Sequence, residues 1–198
     1  MFRAFAADAD FALHFQPFQL YGDLPGEGGV DKGAFFLANS KRVRPDESDA
    51  ERARRRQGVV EAWRREGLDL KDVYGSVAGG RVGNSLDAQR LILLARAQGR
   101  EDACIEAIYA ANHEQGRCLG DRAVLEAIAT AAGVEGAAAM LQSGEGEREV
   151  LETIESFRLM GIRSVPVVIL DGQYCIKGLP DEAVLAEAVA RIVRSDQA

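Results

Sequence analysis

The chain has 198 residues, with 24 Lys and Arg against 31 Asp and Glu, a net charge of −7, and 47% hydrophobic and 28% charged residues. That balance belongs to a folded globular chain rather than a disordered one. No apolar run reaches the roughly 18 residues of a membrane span, and the acidic excess speaks against a nucleic-acid or membrane partner.

The first residues, Met1 to Asp10, mix Arg3, Asp8 and Asp10 among apolar residues, which is not the pattern of a secretory signal. Phe11, Leu13 and Phe15 then alternate with Ala12, His14 and Gln16, so the spacing predicts a half-buried strand over 11–18 with Pro17 near its end. Residues 22–33 are rich in Gly, Pro and Asp and read as loop. Asp46, Ser48 or Asp49 can cap a helix running to Arg65, with Val59, Val60 and Trp63 on its apolar side. Its basic run, Arg52, Arg54, Arg55, Arg56, Arg64 and Arg65, is interleaved with acidic residues and reads as a solvated face rather than a phosphate-binding one.

A glycine-rich loop through Gly75, Gly79, Gly80 and Gly83 leads to Asn84 or Ser85, which cap a helix to about Gln98. Further helices are predicted over Glu101–Gln115, from Asp121 to Ala131, over Gly136–Leu141 and over Glu145–Met160. The β-branched run from Ser164 to Leu170, the turn signal Asp171-Gly172 and the return strand Gln173–Lys177 make a hairpin, followed by a helix to about Arg194. One strand, a helical block, a hairpin and a last helix imply an α/β or α+β chain in which helices cover a small sheet.

Three cysteines, Cys104, Cys118 and Cys175, never stand at C-x-x-C spacing. An odd number with no secretory signal fits a reducing compartment, so a cytoplasmic location is expected. Two histidines, His14 and His113, are too few and too scattered for a zinc site, and no metal or cofactor is expected. Cys104 falls on the helical face of Ile108 and reads as a core thiol; Cys175 reads as core or edge. Arg117 beside Cys118 is the best setting in the chain for a lowered thiol pKa, a bystander thiol being the plainer reading. His14 reads as a solvated strand residue, His113 as a complement to a helix's negative end, and Trp63 as a core anchor.

Several segments together resemble the DsbA-like thioredoxin oxidoreductases of the FrnE type, relatives of 2-hydroxychromene-2-carboxylate isomerase and kappa-class glutathione transferase. They are Phe15-Gln16-Pro17-Phe18-Gln19-Leu20 with Asp23-Leu24-Pro25, Asn84-Ser85-Leu86-Asp87-Ala88-Gln89-Arg90-Leu91, Gly116-Arg117-Cys118-Leu119-Gly120-Asp121 and Gly161-Ile162-Arg163-Ser164-Val165-Pro166, continued by Asp171-Gly172, Tyr174 and Gly178. Gln89 stands where the family has His, and Ser164 where it has Gly. The resemblance implies an α/β, thioredoxin-like fold with a large helical insertion: 1–40 as the first part of the thioredoxin-like domain, 41–143 as the insertion and 144–198 as its second part.

The resemblance also implies a cis Val165-Pro166 peptide, with Val165 and Pro166 as the substrate-binding pair for a thiol or disulfide peptide. The family's Cys-x-x-Cys turn, or the Ser of its isomerase relatives, has no counterpart here. Met1–Ala7 would correspond to the tail of the first helix, so the chain reads as N-terminally truncated, lacking the first strand and the catalytic turn. Without the sulfur pair, the family's dithiol exchange is not expected of this chain, and no catalytic residue is assigned. The sheet should either split, leaving the hairpin apart from Phe11–Phe18, or be filled by another segment. Two further readings stay open, a glutathione-dependent isomerase or transferase and a non-catalytic binding module, as does homodimerisation.

Overall fold

A computed structural model describes residues 11–65, 67, 79–178 and 180–196. The expectations that fall on Met1–Ala7 and on Gly75 lie outside the described residues. Elements follow in the order β1 (Val30–Asp31), α1 (Lys32–Val43), α2 (Asp49–Arg65), β2 (Arg81–Val82), α3 (Leu86–Ala97) and α4 (Glu101–Tyr109). A π-helical turn (Ala110–Glu114), α5 (Arg122–Ala132), α6 (Ala137–Gln142), α7 (Glu147–Leu159), β3 (Val167–Leu170), β4 (Tyr174–Lys177) and α8 (Glu182–Asp196) complete the chain. Two compact units result: Tyr21–Leu151 is one, and the residues up to Leu20 with those from Glu152 onward are the other. Residues 21–40 and 144–151 thus group with the helical unit.

The helical unit is built on α3, α4, α5 and α6. Ala88, Leu91 and Ala95 on α3 recur at three and four residues and so lie on one face. Val124, Leu125, Ile128, Ala129 and Ala132 form the matching stripe on α5. Leu91, Cys104 and Leu125 are fully buried where these faces meet, and Met140 and Leu141 of α6 close the cluster. The caps follow the chemistry read from the sequence. Ser48 and Glu51 form a reciprocal box at the start of α2, Ser48 N and Oγ donating to Glu51 Oε2 at 2.7 and 2.6 Å and Glu51 N donating to Ser48 Oγ at 3.3 Å. Asn84 Oδ1 accepts from Leu86 N at 2.8 Å ahead of α3.

Four local expectations are corrected. Residues 11–19 form no strand, and Phe11, Leu13 and Phe15 are 44%, 76% and 39% exposed. Alternation shows that a segment could pair, but a strand persists only beside a neighbour that takes its N–H and C=O groups, and among the described residues β3 pairs with β4 alone. Residues 30–43, expected as loop and unassigned chain, hold β1 and α1, with Asp31 Oδ1 accepting from Ala34 N at 2.7 Å as the helix cap.

The single helix expected over Glu101–Gln115 widens after Tyr109, where Gln115 N donates to Ala110 O five residues back at 3.2 Å. The carbonyls this frees find other donors: Lys32 Nζ bonds Asn112 O at 2.7 Å, and Arg117 N bonds Ala111 O at 2.9 Å. Finally, the basic run of α2 is not wholly a solvated face. Arg52 is buried at 7% exposure and Arg55 is half-buried, both turned toward Ser40 and Glu47.

Candidate functional site

The Asp171-Gly172 turn sets the geometry of the hairpin. Both residues adopt left-handed backbone, φ 50° and 65°, the conformation that matches the twist of two antiparallel strands. Gln173 N donates to Leu170 O at 3.0 Å across it. The register pairs Val167 with Lys177, Val168 with Ile176, Ile169 with Cys175 and Leu170 with Tyr174. Gly178 N donates to Pro166 O at 3.0 Å and carries the pairing one step beyond β3. The Val165-Pro166 peptide is cis. Val165 is 48% exposed and Pro166 is exposed, side by side at the head of β3. Among the described residues the sheet holds β3 and β4 alone, so the other edge of β3 carries no strand.

None of the thiols has the setting of a nucleophile prepared in the helical unit. Burial, with Glu101 adding to it, pushes the Cys104 thiol up to about 11, so it stays protonated at neutral pH. Cys118 is also raised, chiefly by burial and further by Asp121, against the lowered value that the neighbouring Arg117 suggested. The physical reason is position: Cys118 is 3% exposed, and its Sγ points at the Gly26 carbonyl at 3.9 Å. Cys175 is exposed on β4. His14 is exposed. His113 stacks on Tyr109 at 5.6 Å and meets Trp63 at 5.7 Å, so Trp63 is half-buried against a ring rather than deep in the core. Among the described residues no group of three or more His, Cys, Asp or Glu could hold a metal, and no helix is long and apolar enough to cross a membrane.

The motif segments that are far apart in sequence meet in one knot of the helical unit. Asn84 Nδ2 donates to Gly22 O at 2.6 Å and Asn84 N to Pro25 O at 2.8 Å. Asp121, expected only as a helix cap, accepts from Gly28 N at 2.5 Å instead. Arg81 donates from its side chain to the Gly28 and Gly29 carbonyls and from its backbone to Gly116 O at 3.0 Å. Gly29, Gly83 and Gly120 let these backbones touch. A Cβ at Gly83 would come within 2.7 Å of Cys118 Sγ, and one at Gly120 would fall on the Gly26 carbonyl. These residues hold a loop in place and bring no reactive group together.

Arg90 belongs to the same motif and serves the fold as well. It is 4% exposed. Its guanidinium donates to the carbonyls of Met140 at 2.6 Å, Ser143 at 2.7 Å and Glu145 at 2.7 Å, and pairs with Asp87 at 2.5 Å. It thereby adds a donor to the chain end of α6, where Met140 O also accepts from Ser143 N and Oγ. Sequence reasoning missed the Glu47 cluster as well. Glu47 precedes the cap of α2, so its pairing with Arg52 and Arg55 follows no helical spacing.

No curated protein matches the chain. Among solved structures, it is similar to a probable DsbA oxidoreductase from Streptomyces coelicolor, with 21% identity, a TM-score of 0.72, and coverage of 88% of this chain and 72% of that one. That likeness establishes the fold, thioredoxin-like with a large helical portion. Residues 1–190 match the model of the DSBA-like thioredoxin domain, and the chain belongs to that family.

Proposed function

We propose that this polypeptide is a FrnE-type member of the thiol-disulfide oxidoreductase family that binds an extended thiol or disulfide peptide along the free edge of β3, with Val165 and Pro166 as the contact pair, and does not itself exchange disulfides. The observation that carries the reading is the exposed Val165-Pro166 corner opening onto an edge of β3 that pairs with no strand among the described residues. An added strand takes its affinity from main-chain hydrogen bonds and its selectivity from alternate side chains. The FrnE assignment is supported by the convergence of Asn84, Gly120 and Asp121 in one knot. Three unpaired thiols are in keeping with a reducing, cytoplasmic setting.

The absence of exchange follows from sulfur chemistry. Turnover needs an attacking thiolate and a resolving partner. Cys104 and Cys118 are buried protonated thiols, and Cys175 stands exposed with no cysteine paired to it. The 198-residue chain is therefore expected to leave the rate of insulin reduction by dithiothreitol at its uncatalysed value. A stopped assay that separates mixed disulfide from product should find at most a stoichiometric adduct at Cys175, lost in Cys175→Ser. Catalytic turnover over many equivalents of insulin would overturn the reading.

A further inference from the structure

We infer that the α1–α2 hairpin holds a binding site for a small amphiphilic anion, an alkyl carboxylate in chemical class, which its residues recognise by an arginine cluster beside an apolar wall. The site is a cavity of about 210 Å³ between the two helices. Phe36, Leu37 and Val43 supply the apolar side, and Tyr21, edge-on to Phe35 at 4.9 Å, continues it. Four guanidiniums, those of Arg44, Arg52, Arg55 and Arg56, line the same space, and among the described residues no carboxylate does.

Two of these cations are committed to the fold. Arg52 Nη1 and Arg55 Nη2 converge on Ser40 Oγ at 3.1 and 2.8 Å, and both side chains pair with the one carboxylate of Glu47, at 3.4 and 2.9 Å. The Arg55 hydrogen bond holds the Glu47 carboxyl below its usual range. Asp49 lies 3.7 Å from Arg52 Nε and is 86% exposed, where water screens it. Arg44 adds a through-space attraction to Glu47, and Arg56 has no ion-pair partner among the described residues.

Four guanidiniums lining one small space beside an apolar wall repel one another, and an anion seated among them relieves that repulsion. The apolar wall selects among anions. Leu37 and Val43 are 39% and 59% exposed, so a bare inorganic ion would leave them wet while an alkyl chain would cover them. A cavity of this volume is smaller than those of drug-sized ligands, about 300–1,000 Å³. A neighbouring groove of about 520 Å³ shares Leu37, Arg52 and Arg56 and adds Ala53 and Val60, with Lys41, Asp49 and Gln57 as its polar side; its apolar strip gives a chain of several carbons somewhere to lie. The guanidinium fork matches a carboxylate head in two-point geometry.

The test uses the full chain and three probes that separate head from tail: octanoate, 1-octanol and acetate. Calorimetric titration should find octanoate bound at least about tenfold more tightly than either of the others. Amide shifts in a ¹H–¹⁵N spectrum should centre on Leu37, Val43 and Arg56. Arg56→Gln should weaken octanoate about tenfold, the scale of one charge-assisted hydrogen bond. Val43→Glu, which sets a carboxylate in the exposed wall, should weaken it similarly by a route that leaves every arginine in place. Binding of octanol as tight as that of octanoate would mean a greasy surface only, and binding of acetate as tight would mean a charge patch only. Either result, or shifts elsewhere in the chain, or both variants binding as the parent does, would overturn the inference.

Discussion

Replacing Arg90 by Met is expected to cost about 3–5 kcal/mol of stability, seen as a large fall in the urea midpoint with little change in slope. The side chain is 4% exposed and serves three carbonyls and a carboxylate. Met preserves the apolar stem but takes the guanidinium away from all three carbonyls; Met140 O keeps Ser143 N and Oγ at 3.1 and 2.9 Å, so the loss falls chiefly on Ser143 O and Glu145 O. A buried polar group left unpaired costs about 1–3 kcal/mol, and losing the charge also strands Asp87, which is partly exposed and so adds little. Arg90→Lys keeps the charge but replaces a planar fork with a point donor that cannot reach carbonyls on several sides, so roughly half the loss should remain. Against a typical total of about 5–15 kcal/mol for a domain, Arg90→Met should bring the helical unit close to unfolding at ambient temperature. A midpoint within about 0.5 kcal/mol of the parent would show that water replaces the guanidinium without loss.

Gly120→Ala and Gly58→Ala should move stability in opposite directions. Gly58 lies in α2, exposed, and a Cβ there meets nothing within 4 Å. Removing glycine from a helix interior gains about 0.5–1 kcal/mol by restricting the unfolded chain. Gly120 has the same entropic gain available, but its Cβ would fall on the carbonyl of Gly26, a backbone group that moves only if the 22–29 loop moves. Overpacking of this kind costs about 1–3 kcal/mol. The loop should loosen as it yields, so Cys118, buried at 3% exposure beneath it, should react with a thiol reagent faster in the Gly120→Ala protein than in the parent. Thermal unfolding of the two variants side by side, with the thiol rate as a local reporter, reads both effects. Equal shifts of the same sign would refute the close approach at Gly120.

How much of this was legible in the sequence depended on whether the deciding contact was local. The hairpin could be read because Asp171-Gly172 fixes its own turn and β-branched residues flank it. The cap of α2 could be read because Ser48 and Glu51 satisfy each other within four residues. The strand expected over 11–18 failed because alternation states a capacity to pair and nothing about a partner. Helix α1 was missed although its cap, Asp31, stands in plain view; Gly33, Asn39 and Ser40 interrupt any apolar stripe. Arg52 looked like one more solvated cation, since the groups that bury it, Ser40, Arg44 and Glu47, lie before the helix begins. At the candidate site, Val165 and Pro166 were found through resemblance alone. Nothing in composition or spacing marks a corner as exposed beside a strand edge that is unpaired among the described residues.

Binding along that edge is the claim on which the functional reading stands, and a fluorescence titration of a disulfide-bearing peptide against three forms of the chain tests it most directly. The parent and Val184→Asp, altered at an apolar residue of α8 that is 44% exposed, should bind alike. Val165→Asp should bind at least about tenfold more weakly, because it sets a charge where the added strand must lie. Equal affinity of the Val165→Asp and parent chains, or no saturable binding by the parent, would contradict the account.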